Sequence, residues 1–183
     1  MSKKEFDDFL KKEEGNKKVQ VDWEEEKQKW ISHLDKLFSD IKSWLKEYVD
    51  LDKIKLEFNS IDIHEEALGT YSVKELTIKI GDKAAKLTPI GTILIGTRGR
   101  ADLTGRSGSV RFILTDKSAT EPNITVKVFM SEEEKLKDSE EEKKKAKNPI
   151  DWVWKITSNP PRIKYTELNQ DTFLQCLMEV VNG

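Results

Sequence analysis

Residues 96–111 read GTRGRADLTGRSGSVR and hold four of the chain's nine glycines and four of its five arginines. Three readings compete for them: a glycine-rich cradle for phosphate, a basic finger for nucleic acid, and a tight β-hairpin with decorated edges. The cradle needs a strand before it and a helix after it, because backbone N–H groups and a helix N-terminus must face the anion. Gly91 and Gly96 have the P-loop glycine spacing, but Thr97-Arg98 follows where Lys-Ser/Thr is required. The segment downstream, SVRFILT (109–115), has the pattern of a strand, so the helix is missing as well. No G-x-G-x-x-G occurs. The glycines therefore lead from strand to strand, and the stretch is read as a hairpin.

That hairpin has neighbours of the same kind on both sides. Upstream, IKLEFNSIDI (54–63) alternates, with Ile54, Leu56 and Phe58 opposite Lys55, Glu57 and Asn59. ELTIKI (75–80) alternates again, and Gly81-Asp82 turns the chain into KAAKLTPIG (83–91). TILIG (92–96), RADLT (100–104), SVRFILT, NITVKVFM (123–130), DWVWKIT (151–157) and RIKYTEL (162–168) follow, each bounded by Gly, Pro, Asn or Ser. Short strands joined by short turns predict an antiparallel meander, because parallel crossovers need a dozen or more residues each.

Two helices complete the pattern. Trp30, Leu34, Leu37, Ile41, Trp44 and Tyr48 recur at spacings of three and four, and Ile31, Phe38, Leu45 and Val49 broaden the stripe. Asp22 is the expected N-cap, with Glu24, Glu25 and Glu26 favoured by the helix dipole in the first turn. A final helix follows Asn169, with Phe173, Leu174, Leu177, Met178 and Val181 as its expected buried side. The predicted fold class is α+β: a meander sheet of six to eight strands covered on one face by helix 22–49 and helix 169–182.

Two segments stand apart. Residues 1–20 read as a charged arm, in which a short amphipathic helix carries Phe6, Phe9 and Leu10. The remainder, 21–183, reads as one α+β domain with a charged, flexible insertion at 131–148. Seven acids and six bases fall among residues 131–147, leaving only Leu136 and Ala146 apolar. Such a segment cannot offset its ordering entropy by burial.

Composition narrows the function classes. Net charge is −2, so no global field points toward a polyanion or a membrane. One cysteine, Cys176, excludes an internal disulfide and a multi-thiolate zinc site, and its apolar setting suggests a buried, inert thiol. No apolar run approaches the roughly 20 residues of a membrane span. With no secretory signal recognised, the expected compartment is the cytoplasm.

Catalytic and metal patterns are incomplete. The two histidines, His33 and His64, form no H-x-x-x-H pair. Asp62, His64 and Glu66 would share a strand face, but they read as the polar side of an edge strand. His33 reads as a flanking, solvated residue of the long helix. Glu75, Thr77 and Lys79 are read as another exposed face, and neither G-x-S-x-G nor S-x-x-K occurs. No catalytic residue, metal ligand or cofactor is assigned.

Binding is the remaining chemistry. If residues 105–108 form the loop, Thr104 faces Ser109 and Asp102 faces Arg111, with Arg98, Arg100 and Asp102 on one sheet face. Arginine's planar fork suits carboxylate or phosphate better than lysine's point charge does. Arg98, Arg100, Arg106 and Arg111 are therefore candidate binding residues. Trp152 and Trp154, on one strand face, join them because tryptophan and arginine anchor interfaces. The expected function is non-enzymatic binding or regulation through a macromolecular partner, foremost a protein. Nucleic acid held on the Arg98–Arg111 hairpin is the alternative, and an unrecognised hydrolase or metal-dependent enzyme the second. Against nucleic acid, no aromatic residue is interleaved with these arginines in the sequence.

Overall fold

The computed structural model describes residues 22–92, 97–122 and 150–182. The 1–20 arm, the 131–148 insertion, the NITVKVFM segment and all of TILIG after Thr92 lie outside them. The described chain is α+β. Helix α1 (Trp23–Asp50) precedes strands β1 (Lys55–Glu65), β2 (Gly69–Ile80), β3 (Lys83–Gly91), β4 (Gly99–Gly105), β5 (Gly108–Asp116), β6 (Trp152–Thr157) and β7 (Tyr165–Glu167), and helix α2 (Gln170–Asn182) closes it. The seven strands form one sheet in sequence order, every neighbouring pair antiparallel.

Helix α1 starts where its capping chemistry places it. The Asp22 carboxylate accepts from the N–H groups of Glu24 and Glu25, each at 3.1 Å, satisfying donors that have no helical partner. The helix buries Trp30, Leu34, Leu37, Phe38, Ile41 and Leu45. Asp52, at φ +53, then turns the chain into β1.

Helix α2 is capped by Asn169, whose side chain accepts from the Thr172 N–H at 3.0 Å while the Thr172 hydroxyl accepts from the Asn169 N–H. Its buried side is Phe173, Cys176, Leu177, Val180 and Val181. Met178, expected inside, is 60% exposed. At about 100° per residue, Cys176 and Val180 lie on the far side of Phe173 from Met178, and the sheet faces that arc.

Both helices contribute to one buried cluster with the same sheet face. Phe112 of β5 lies 6.3 Å from Phe173, Phe173 lies 5.6 Å from Trp44, and Phe38 meets Phe58 edge-on at 5.7 Å. The other face is polar but tightly filled. Lys155, 8% exposed, donates to the carbonyls of Lys117 and Ala119 at 2.7 and 2.5 Å. Ile113 lies between Arg100 and Lys155 in register and is buried there. Long side chains flanking an apolar one cover it with their methylene stems. Thr77 is buried as well, so Glu75, Thr77 and Lys79 are not the uniformly exposed row that alternation suggested.

The first hairpin changes which face it buries. In β2 the buried apolar residues are Tyr71 and Val73 near the turn, then Leu76 and Ile78, a switch from odd to even positions. The β1–β2 register is continuous through that switch, so the two strands rotate together without a bulge between them. Twist accumulated along strands of 11 and 12 residues brings the opposite face to the core.

Candidate functional site

The β4–β5 hairpin has the register anticipated from the sequence: Thr104 pairs with Ser109 and Asp102 with Arg111. Gly105 and Gly108 form the last pair, and the tip docks on α2 through Ser107 N–H to Val180 O at 2.9 Å. The ion pair differs from the expected one. Arg100 holds Asp102, two residues along its own strand, through Nε to Oδ1 at 2.7 Å and Nη2 to Oδ2 at 2.5 Å. Side chains at i and i+2 share a face, and this fork–carboxylate geometry leaves Arg111 exposed opposite them. Arg106 is exposed at the tip.

Arg98 is not on that face. It precedes β4, and its N–H donates to Leu114 O at 2.8 Å. Its side chain turns to the helix side, where Nη1 pairs with Glu26 and the guanidinium lies 5.0 Å from the Trp152 ring. The arginine cluster is therefore split. Arg98 joins Trp152 and Trp154, Arg100 and Arg111 occupy the opposite sheet face, and Arg106 sits at the hairpin tip.

Between α1 and the sheet lie two adjoining clefts, the first of them lined by Arg98. The first, of about 290 Å³, is lined by Trp23, Glu26, Lys29, Trp30, His33 and Arg98, with Leu68, Thr92, Thr97 and Leu114. The second, of about 350 Å³, runs between α1 and β6–β7 and includes His33, Lys36, Trp44, Lys117, Trp152 and Trp154. All five tryptophans of the chain line one cleft or the other, and His33 lines both.

Local packing explains the arrangement. Trp30 crosses the backbone at Gly99, where a Cβ would lie 2.1 Å from its Cζ3. It tilts against Trp154 at 5.8 Å, and the Trp154 indole N–H donates to His33 O at 3.0 Å. Burial holds the His33 imidazole below its ordinary pKa, and the nearby charges of Lys36 and Arg98 add to that effect.

Behind the first cleft, Glu65 gathers donors. Its carboxylate accepts from the Tyr71 hydroxyl and, at 2.9 Å each, from the Thr92 N–H and Oγ1. Gly91 leaves it room, since a Cβ there would come within 3.1 Å of that carboxylate. Burial, then the bond to Glu65, pushes the Tyr71 phenol well above its ordinary pKa, with the Trp30 indole pulling slightly the other way. The Trp30 indole N–H is directed at that hydroxyl, and among the described residues Thr97 Oγ1 is buried without a partner in hydrogen-bond geometry.

His64 and Asp62 lie on the exposed side of the β1 edge and engage Thr70 and Ser72 across the hairpin at 2.9 and 2.6 Å. Glu66 falls beyond the end of β1. Among the described residues, no group of three or more His, Cys, Asp or Glu is placed to hold a metal ion. No helix among them is long and apolar enough to cross a membrane. The clefts also contain residues that sequence reasoning did not single out for binding: Trp23, Trp44, His33 and Thr97. Their common signal was the tryptophan content, spread over segments more than a hundred residues apart. No family model matches this chain, and no curated protein or solved structure gives a match to it.

Proposed function

We propose that this chain is a non-enzymatic binding protein that engages a protein partner through the tryptophan-lined face beside α1. The observation that carries this reading is the convergence of all five tryptophans on two adjoining clefts, with Arg98 stacked over Trp152 between them. Trp23 is 47% exposed, and Trp44 and Trp152 are half-buried, so the face is not a closed core. Tryptophan supplies large contact area with only two side-chain torsions to fix, and arginine adds a planar donor fork, the chemistry of interface anchors. Charge around the rings is mixed, with Lys29, Lys36, Lys117 and Arg98 standing beside Glu26, Asp40 and Glu167, so the rings and not a net charge would anchor the partner.

The test is recovery of a stoichiometric partner from native extract by the tagged full chain, compared with Arg98→Ala and Trp152→Ala variants that melt as the wild type does. Loss of the partner in both variants supports the reading. Retention in both, or recovery of the chain alone, overturns it. A nuclease-treated parallel sample decides the alternative: a partner lost only on nuclease treatment means that nucleic acid, not protein, is bound.

A further inference from the structure

The two edges of the sheet are built differently. At one end β7 has three residues, Tyr165–Glu167, and Pro160 and Pro161 stand shortly before it. At the other end β1 has eleven, Lys55–Glu65, paired with β2 along its whole length without a bulge. An edge strand presents a row of unpaired N–H and C=O groups, and folded proteins guard such rows with short strands, prolines, bulges or charges. β7 is guarded by its length. β1 holds no proline, no glycine and no bulge, and residues 58–61, Phe-Asn-Ser-Ile, carry no charge.

Among the described residues the middle of this edge is open. Glu57, Phe58, Asn59 and Ser60 are exposed in succession. Successive side chains point to opposite faces, so both faces of the strand are accessible there. Phe58 is 38% exposed although it meets Phe38 edge-on, and a hollow of about 380 Å³ remains between α1 and the edge beside it. Glu57, the nearest charge, is already paired with Lys79 of β2 at 2.6 Å.

β1 also complements itself. In an antiparallel pair related by a two-fold axis, opposed residues share a face, so the axis passes through a residue. An axis through Ser60 aligns all eleven residues of both copies. It brings the lysine end of each copy, Lys53 and Lys55, to the acidic end of the other, Glu65 and Glu66, and no like charges oppose each other within the strand. An axis through Glu57 sets that carboxylate against itself, and one through Ile61 sets Glu57 against Glu65.

We propose that β1 pairs antiparallel with β1 of a second copy of this chain about an axis through Ser60, joining the two sheets into one. One strand pair is a small interface, of the size found in weak and transient complexes, so a dissociation constant of about 10–100 µM is expected. No β1 residue lines either tryptophan cleft, so the dimer and the use of those clefts can be lost independently.

Sedimentation equilibrium of the full chain from about 5 to 500 µM should follow a monomer–dimer isotherm. Ser60→Lys and Ser60→Glu each set like charges against each other on the axis and should weaken the dimer about fivefold, the upper end of a single cross-strand effect. An equimolar mixture of the two variants should return to within about twofold of wild type, because opposite charges then meet. Ser60 is exposed, so both variants should melt as the wild type does. Hydrogen exchange locates the contact: alternate amides of residues 56–64 should slow as concentration rises. A chain that stays monomeric at about 500 µM overturns the proposal, and so does a dimer that neither variant weakens, or a mixture no tighter than its components. Slow exchange at residues 58–61 that does not depend on concentration means that the chain's own residues cover the edge, and overturns it as well.

Discussion

Replacing Gly99 with alanine tests the packing on which both clefts depend. The new Cβ would lie 2.1 Å from Trp30 Cζ3, and 2.7 and 2.8 Å from Cε3 and Cη2. Ordinary carbon contacts begin near about 3.5 Å, so the ring must withdraw by about 1.5 Å. It has little room to do so, being 2% exposed and tilted against Trp154 at 5.8 Å. Overpacking costs about 1–3 kcal/mol, and a clash with three ring atoms belongs at the upper end. At about 2–4 °C per kcal/mol for a chain of this size, the melting temperature should fall by about 6–12 °C. Urea midpoints and thermal melts followed by circular dichroism measure the loss. In a Trp30→Leu background the same change should cost under about 1 kcal/mol, because the smaller side chain leaves space. A Gly99→Ala protein within about 0.5 kcal/mol of wild type, or an equal cost in both backgrounds, would refute the packing argument.

Three further outcomes are expected. Asp22→Ala removes the acceptor for two N–H groups at the start of α1 and should cost about 1 kcal/mol in a urea titration, with Asp22→Ser recovering most of it. Burial pushes the Cys176 thiol up to about 11, so at about pH 8 the folded chain should react with a thiol reagent roughly 100-fold more slowly than it does in denaturant; equal rates would contradict the burial. His33 is held below its ordinary pKa, so the unfolded chain binds its proton more readily than the folded one. Its contribution to stability is therefore present above about pH 6.5 and is lost as pH falls through the depressed folded value. His33→Gln should flatten the rise of the urea midpoint between about pH 5 and pH 7, and an unchanged slope would count against that assignment.

Much of the architecture was legible because it rests on local patterns. The stripe from Trp30 to Tyr48, the Asp22 cap and the Gly105–Gly108 turn each state their own geometry within a few residues. The face switch in the first hairpin also left a trace, since Ile54, Leu56 and Phe58 give way to Ile61 and Ile63. Alternation alone did not show that Ile54 and Leu56 reach the core together with Ile61 and Ile63 while Phe58 stays exposed, because twist along a long hairpin is set by packing. Met178 illustrates the same limit: an apolar arc on a short helix leaves its centre uncertain by a residue until the sheet beneath it is known.

The candidate site was less legible. Sequence reasoning set Arg98, Arg100, Arg106 and Arg111 together because they are neighbours in the chain. The backbone separates them, since Arg98 lies outside the regular strand and turns toward α1 while Arg100 follows the strand alternation. Aromatic rings missing beside the arginines in the sequence come to Arg98 from β6, across a gap of more than fifty residues.

The sequence by itself determined both helices, most strands of the described sheet, their antiparallel pairing and the β4–β5 register, because periodicity, capping and turn chemistry act over a few residues. Only the tertiary structure decided which side chains share a cleft. Trp23, Trp30, Trp44, Trp152 and Trp154 meet because α1 lies across the sheet and Gly99 lets one ring cross the backbone, and contacts between segments that distant in the chain have no signature in local pattern.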